Sequence, residues 1–157
     1  MGRLYSRAEL LAVRRDWQVA GRKVVFTNGC YDLLHPGHVR LLEKARSLGD
    51  ILVLALNTDA SVARMKGPAR PIICQRDRAE LAASLAAVDA VTFFDEDTPR
   101  ELIADLLPDV LVKGADWSHF IAGREEVEAA GGEVLTLPLE PGLSTTNIVA
   151  ELLARRP

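Results

Sequence analysis

His35 and His38 stand in the run Thr27-Asn28-Gly29-Cys30-Tyr31-Asp32-Leu33-Leu34-His35-Pro36-Gly37-His38, the richest concentration of chemistry-bearing groups in the sequence. Gly29 and Gly37 permit close backbone approach, and a helical pattern follows from Val39. The two imidazoles therefore flank the opening of a helix whose free N–H groups and dipole favour an anion such as phosphate. A lone histidine is more often a satisfied structural residue. That reading suits either histidine singly and the pair poorly. Zinc ligation by the pair is a further alternative, but no third Cys, His or carboxylate stands at a recognisable spacing. Three other stretches offer polar groups, and each has a plain structural reading. Lys66 and Arg70 read as a solvated basic loop. Asp116 reads as a turn former or an acceptor for a hydroxyl, with Trp117 covering the core. One of Ser144, Thr145 and Thr146 reads as a helix N-cap.

Position must come from the elements around these residues. Five short apolar runs rich in β-branched residues recur: Val24-Phe26, Ile51-Leu56, Ala90-Phe94, Val110-Val112 and Val134-Leu137. None shows period-two patterning, so each reads as a buried strand. Segments with helical spacing lie between them, such as Leu41, Leu42, Ala45 and Leu48, or Leu102, Ile103, Leu106 and Leu107. This alternation predicts an α/β class, a doubly wound five-stranded parallel sheet with helices on both faces. Ligands of such sheets bind beyond the carboxyl ends of the strands, at the topological switch point. Thr98-Pro99-Arg100-Glu101 reads as a capping box, and Gly131-Gly132 closes the helix before the last strand. Ser6-Arg7-Ala8-Glu9 opens a further helix, so residues 1–21 read as a helical appendage to a single domain spanning 1–157.

Composition narrows the classes. With 157 residues, 48% hydrophobic and 26% charged, the chain has the balance of a packed domain. A formal charge of −3 with mixed signs lacks the single-sign field that draws in nucleic acid or an anionic membrane. No apolar stretch reaches the roughly 18 residues of a membrane span. Cys30 and Cys74 lack metal or redox spacing and read as free thiols, which suits a reducing cytoplasm.

His35-Pro36-Gly37-His38 resembles the His-x-Gly-His signature of the nucleotidyltransferase superfamily, in its cytidylyltransferase-like branch. The likeness continues through Leu41-Leu42-Glu43-Lys44-Ala45-Arg46, Gly49-Asp50 and Asn57-Thr58-Asp59. Four stretches are most similar to the heptose 1-phosphate adenylyltransferases, which occur alone or fused to a sugar kinase. These are Thr27-Asn28-Gly29-Cys30, Lys66-Gly67-Pro68-Ala69-Arg70-Pro71, Val112-Lys113-Gly114-Ala115-Asp116 and Ser144-Thr145-Thr146-Asn147-Ile148.

The resemblance implies a Rossmann-like nucleotidyltransferase fold, and a reaction of ATP with D-glycero-β-D-manno-heptose 1-phosphate that gives ADP-heptose and pyrophosphate. It implies Mg²⁺ carried on the triphosphate, no protein-held metal, and a homodimer. By the same resemblance His35, His38 and Lys66 are catalytic. Thr27, Asn28, Gly29, Cys30, Gly37, Arg78, Lys113, Gly114, Ser144, Thr145 and Thr146 would bind nucleotide. Asp32, Arg70, Asp116 and Trp117 would bind the acceptor. Two departures bear on this. Val149 stands where some members carry a basic residue, which keeps a non-catalytic nucleotide-binding regulator among the readings. Leu139 stands where glycerol-phosphate cytidylyltransferases carry arginine, which argues against the CTP-dependent alternative.

Overall fold

The computed structural model describes residues 1–115 and 119–155. In chain order the elements are β1 (Arg3–Leu4), α1 (Arg7–Val19), β2 (Val24–Gly29), α2 (Pro36–Arg46), β3 (Ile51–Asn57), α3 (Asp59–Lys66) and α4 (Gln75–Ser84). They continue with β4 (Ala90–Phe94), α5 (Arg100–Leu106), β5 (Val110–Gly114), α6 (Arg124–Ala129), β6 (Glu133–Leu137) and α7 (Thr145–Ala154). All pairings are parallel, in the order β1-β4-β3-β2-β5-β6.

The two faces of the sheet separate by residue parity. Val24, Phe26, Val53, Ala55 and Leu111 pack beneath Leu10 of α1, Leu102, Ile103 and Leu106 of α5 and Val127 of α6. Val25, Leu52, Leu54, Leu56, Val110 and Val112 face Leu42 and Ala45 of α2 and Ala79 and Ala82 of α4. Successive strand residues point to opposite faces, so a strand covered on both sides must be apolar throughout. β3 is buried along its full length for this reason.

The expected strands are all present, and the sheet has six rather than five. The sixth, β1, is too short to leave an apolar run. It is fixed by backbone bonds, Arg3 N–H to Asp89 O at 3.0 Å and Tyr5 N–H to Val91 O at 2.9 Å. The segment expected as an appendage is thus built into the fold. Leu10 is fully buried, and the buried Arg14 donates to the carbonyls of Leu106 and Leu107 at 3.3 and 2.9 Å. Those carbonyls end α5, where Leu107 turns left-handed at φ 45°, and the guanidinium supplies donors that the helix end lacks.

Two of the three helix-boundary readings stand. Ser6 and Glu9 form a reciprocal capping box. Gly131, at φ +84°, takes the left-handed position after α6, and Gly132 N–H bonds Val127 O at 2.9 Å. The Thr98 box does not form, because Pro99 is the N-cap and its carbonyl accepts Ile103 N–H at 2.9 Å. That register places Glu101 at the second helical position, one short of where a box needs it.

From β2 the chain runs through α2 to β3 on one side, whereas β5 runs through α6 to β6 on the other. The switch point lies between β2 and β5, and a crevice opens beyond their carboxyl ends.

Candidate active site

β2 ends in Thr27-Asn28-Gly29, and Cys30 leads into a tight turn at Tyr31, whose φ is +48°. A Cβ on Gly29 would come within 2.9 Å of the Tyr31 ring, so only glycine lets that ring fold back. Tyr31 then packs against His38 with centroids 4.7 Å apart. His35 is the N-cap of α2, and Pro36 starts the helix with a φ already suited to it. Gly37 sits under the His35 ring, where a Cβ would lie 3.0 Å from Nδ1 and 3.3 Å from the Leu143 Cβ. One turn of chain thereby stacks the two imidazoles, centroids 3.8 Å apart and planes inclined by 22°.

Stacked rings of this kind cannot aim their nitrogens at one ion. No group of three or more His, Cys, Asp or Glu side chains able to hold a metal occurs among the described residues.

Burial, with help from His35 and Lys66, pulls His38 down to about 4, and burial also lowers His35. Both rings are neutral near pH 7. Each has a buried Nδ1 without a hydrogen-bond partner among the described residues. A neutral imidazole can donate one N–H to an oxyanion, and an arriving phosphate would favour the charged form of both rings.

Facing the histidines across the crevice, Lys113 at the end of β5 donates to Asn28 Oδ1 at 2.8 Å. Lys66 projects from the last turn of α3. The N-terminus of α7 closes the remaining side, capped by Ser144 Oγ, which accepts Asn147 N–H at 3.1 Å. The first amides of that helix have no intrahelical partner. Two ammonium groups, two imidazoles and a helix start thus converge on one polar cleft, an arrangement suited to a chain of phosphates. The cleft brings together most of the residues expected from sequence: Thr27 to Cys30, His35, Gly37, His38, Lys66, Lys113, Gly114 and Ser144 to Thr146. Leu139 also lines it.

Three expected ligands lie elsewhere or turn inward. Arg78 is fully buried and spends its donors on Ile73 O (3.0 Å), Cys30 O (2.6 Å), Asn57 O (2.9 Å) and Asp59 Oδ1 (2.8 Å). It organises the crevice floor and does not line it. Asp32 touches the cleft edge but accepts from Ile72 N–H, Ile73 N–H and Arg70 Nε at 2.7 to 2.9 Å. Burial would raise its carboxyl, and the Ile73 and Ile72 amides together with Arg70 outweigh that and hold it low. Arg70 spends its Nε on Asp32, while its buried Nη2 has no hydrogen-bond partner among the described residues. Asp116 and Trp117 lie outside the described residues.

A second lobe adjoins the first across Asn28-Gly29-Cys30, Lys66 and Lys113, and sequence reasoning did not foresee it. Met65, Phe94, Pro99 and Phe120 give it apolar walls, while Asn57, Asp97 and Thr98 supply polar groups. Cys30, whose thiol is pushed up by burial, lies between the lobes and meets Asn57 Oδ1 at 3.7 Å. The available signal was positional, since Asn57 and Phe94 terminate β3 and β4 at the edge where ligands bind. Phe120 follows from no sequence signal.

Fold and site together define a nucleotidyltransferase. The chain belongs to the cytidylyltransferase-like family, whose model matches residues 26–151. Among curated proteins it is similar to the bifunctional protein HldE of Azorhizobium caulinodans, 52% identical over 151 residues, and to that of Syntrophotalea carbinolica, 55% identical over 151 residues. Each alignment covers 96% of this chain and 32% or 30% of the relative, so the chain spans under a third of the length of these relatives. Among solved structures it is similar to a lipopolysaccharide core biosynthesis protein from Thermoplasma volcanium, with TM-score 0.62 and 28% identity over 76% of this chain and 98% of that one. A pantoate-beta-alanine ligase from Francisella tularensis shares the fold at TM-score 0.64 and 14% identity, covering 99% of this chain and 80% of that one.

Proposed function

We propose that residues 1–157 act as one domain that transfers AMP from ATP to D-glycero-β-D-manno-heptose 1-phosphate. An oxygen of the sugar phosphate attacks the α-phosphorus, the bond to the β-phosphate oxygen breaks, and pyrophosphate leaves. The observation that carries this reading is the pair of adjoining lobes. One is polar and ringed by His35, His38, Lys66, Lys113 and the start of α7. The other is partly apolar with hydroxyl-reading groups, and Lys66 and Lys113 stand at their boundary. Nucleotidyl transfer depends on positioning and preorganised positive charge, which is what this boundary offers.

In this reading His38 stabilises charge that grows at the α-phosphorus, His35 and Gly37 hold the triphosphate, and Ser144 to Thr146 receive its far end. Mg²⁺, which the family resemblance implies, would arrive on the triphosphate held by His35, Lys66 and Lys113 and would neutralise part of its charge. Asp97, Thr98 and Asn57 read acceptor hydroxyls. Similarity to HldE proteins and to a lipopolysaccharide core biosynthesis protein supports the sugar acceptor. The homodimer rests on the family resemblance. A cytoplasmic setting is supported by two free cysteines, and none of the described helices is long and apolar enough to cross a membrane.

The test is pyrophosphate release with ATP or CTP against heptose 1-phosphate or glycerol 3-phosphate. Fastest turnover with ATP and the heptose is expected. A CTP preference overturns the base assignment, and nucleotide binding without release with any acceptor favours the regulator.

A further inference from the structure

Asp32, Arg70 and Arg78 were expected at ligands, yet the structure turns all three onto one another's surroundings. Ile73 shows the pattern most clearly: its N–H goes to Asp32 Oδ1 at 2.8 Å and its carbonyl accepts from Arg78 Nε at 3.0 Å. Two buried charges thus hold one backbone residue from both sides. The same Arg78 takes Cys30 O and the Asp59 carboxylate, and the same Asp32 takes Ile72 N–H and Arg70 Nε.

These bonds bracket α3. Asp59 is its first residue and is tied to Arg78. The loop after its last residue, Lys66, is tied at Arg70, Ile72 and Ile73 to Asp32. Asp59 N–H further donates to Gln75 Oε1 at 2.9 Å, joining the start of α3 to that of α4. The start of the eight-residue α3 is thus joined through Arg78 to Cys30, and the loop that leaves its end is joined to Asp32, which restrains the helix relative to the histidine turn. A pair of buried, partnered charges is a costly way to gain stability and a good way to fix one geometry.

We infer that Asp32, Arg70 and Arg78 form an ion clamp of positioning residues, which hold α3 so that Lys66 stands at the boundary of the two lobes, within reach of phosphate. The inference rests on the proposed function for Lys66 and assigns the clamp no contact with substrate. A helix held only for stability would lose stability when the clamp is cut and would weaken anion binding, if at all, by the same factor whether or not Lys66 is present.

The test is a double-mutant cycle read by calorimetric binding of inorganic pyrophosphate with Mg²⁺, a probe independent of base and acceptor. Lys66→Ala is expected to weaken binding about tenfold, and Asp32→Asn about tenfold in the parent chain but less than about twofold in the Lys66→Ala background. Thermal unfolding of each variant accompanies the cycle. If Asp32→Asn does not fold, Arg70→Ala replaces it, since it removes one arm from a partly exposed position. Equal losses in both backgrounds, or no loss in either, overturn the clamp. No effect of Lys66→Ala alone removes Lys66 from the site and the clamp's purpose with it. Should the parent chain bind pyrophosphate with the expected coupling yet turn over no nucleotide, the proposed activity falls and the clamp stands.

Discussion

The two walls of the polar cleft are built in opposite ways. The histidine wall is backed by two buried charges with many partners, Arg78 bonded to four oxygen acceptors and Asp32 to three donors. The α7 wall has no buried residue along its helix. Local contacts hold it: the Ser144 cap, Asn147 Nδ2 donating to Gly142 O at 3.1 Å, and a surface ion pair from Arg40 to Glu140 at 3.0 Å. An exposed pair of that type contributes little. A fixed wall suits groups that must meet the transition state, because preorganisation costs nothing at the moment of reaction. An adaptable wall suits recognition of a nucleotide that must enter and leave. Changes on the histidine wall should therefore act on kcat, and changes on α7 on KM.

The largest effect is expected from His38→Ala, which should lower kcat by roughly 10²-fold or more while the protein stays folded. Steady-state kinetics beside circular dichroism measures both, and near-parental kcat in a folded variant would remove the distinction between the walls. Next comes Lys66→Ala. A charge-assisted bond to phosphate is worth about 1.5–3 kcal/mol, so kcat/KM should fall about tenfold or more, with Arg70→Ala milder because the Ile72 and Ile73 amides still hold Asp32. Equal, mild losses would return Lys66 to an ordinary solvated loop. Smaller still is Ser144→Ala. Loss of an N-cap costs ~1 kcal/mol, which should raise KM for ATP about fivefold and leave kcat alone. A kcat effect from Ser144→Ala would show that α7 takes part in the chemistry.

The fourth expectation concerns stability. Folded His38 titrates near 4 against an ordinary 6.5. As pH falls through that interval the unfolded chain takes up a proton that the folded chain refuses, so unfolding free energy should fall with pH there. Asp32, held low, loses its own contribution as pH falls through its folded value, so both act in the same direction. Denaturant unfolding of His38→Gln across the same pH series isolates the histidine. An unchanged slope would mean that burial does not depress His38 in the folded chain.

Much of this was legible in sequence, and what was not has identifiable causes. The long strands announce themselves because burial on both faces forces apolar runs, and the histidine turn because its glycines and imidazoles are close neighbours in the chain. β1 is hidden because two residues carry no period. The bonding of Arg78 and Asp32 is hidden from sequence because most of their partners are main-chain groups as far as 48 positions away, and a backbone group has no residue type. The second lobe escapes for a related reason, being assembled from the ends of β2, β3, β4 and β5 with Phe120 and Pro99 between elements.

The strand order has a further consequence in folding. β2 pairs on one side with β3, its near neighbour in sequence, and on the other with β5, where Val25 meets Val110 and Val24 N–H reaches Asp109 Oδ2 across 85 positions. The second ladder requires closure of the longer loop, and long-range pairings of this kind are the slow ones. The crevice lies between those two strands. A chain can pair β2 with β3 and gain much of one core face while having no nucleotide site at all, so binding competence arrives with the β2–β5 ladder, and a ligand bridging Asn28 and Lys113 draws the folding equilibrium toward the fully assembled chain.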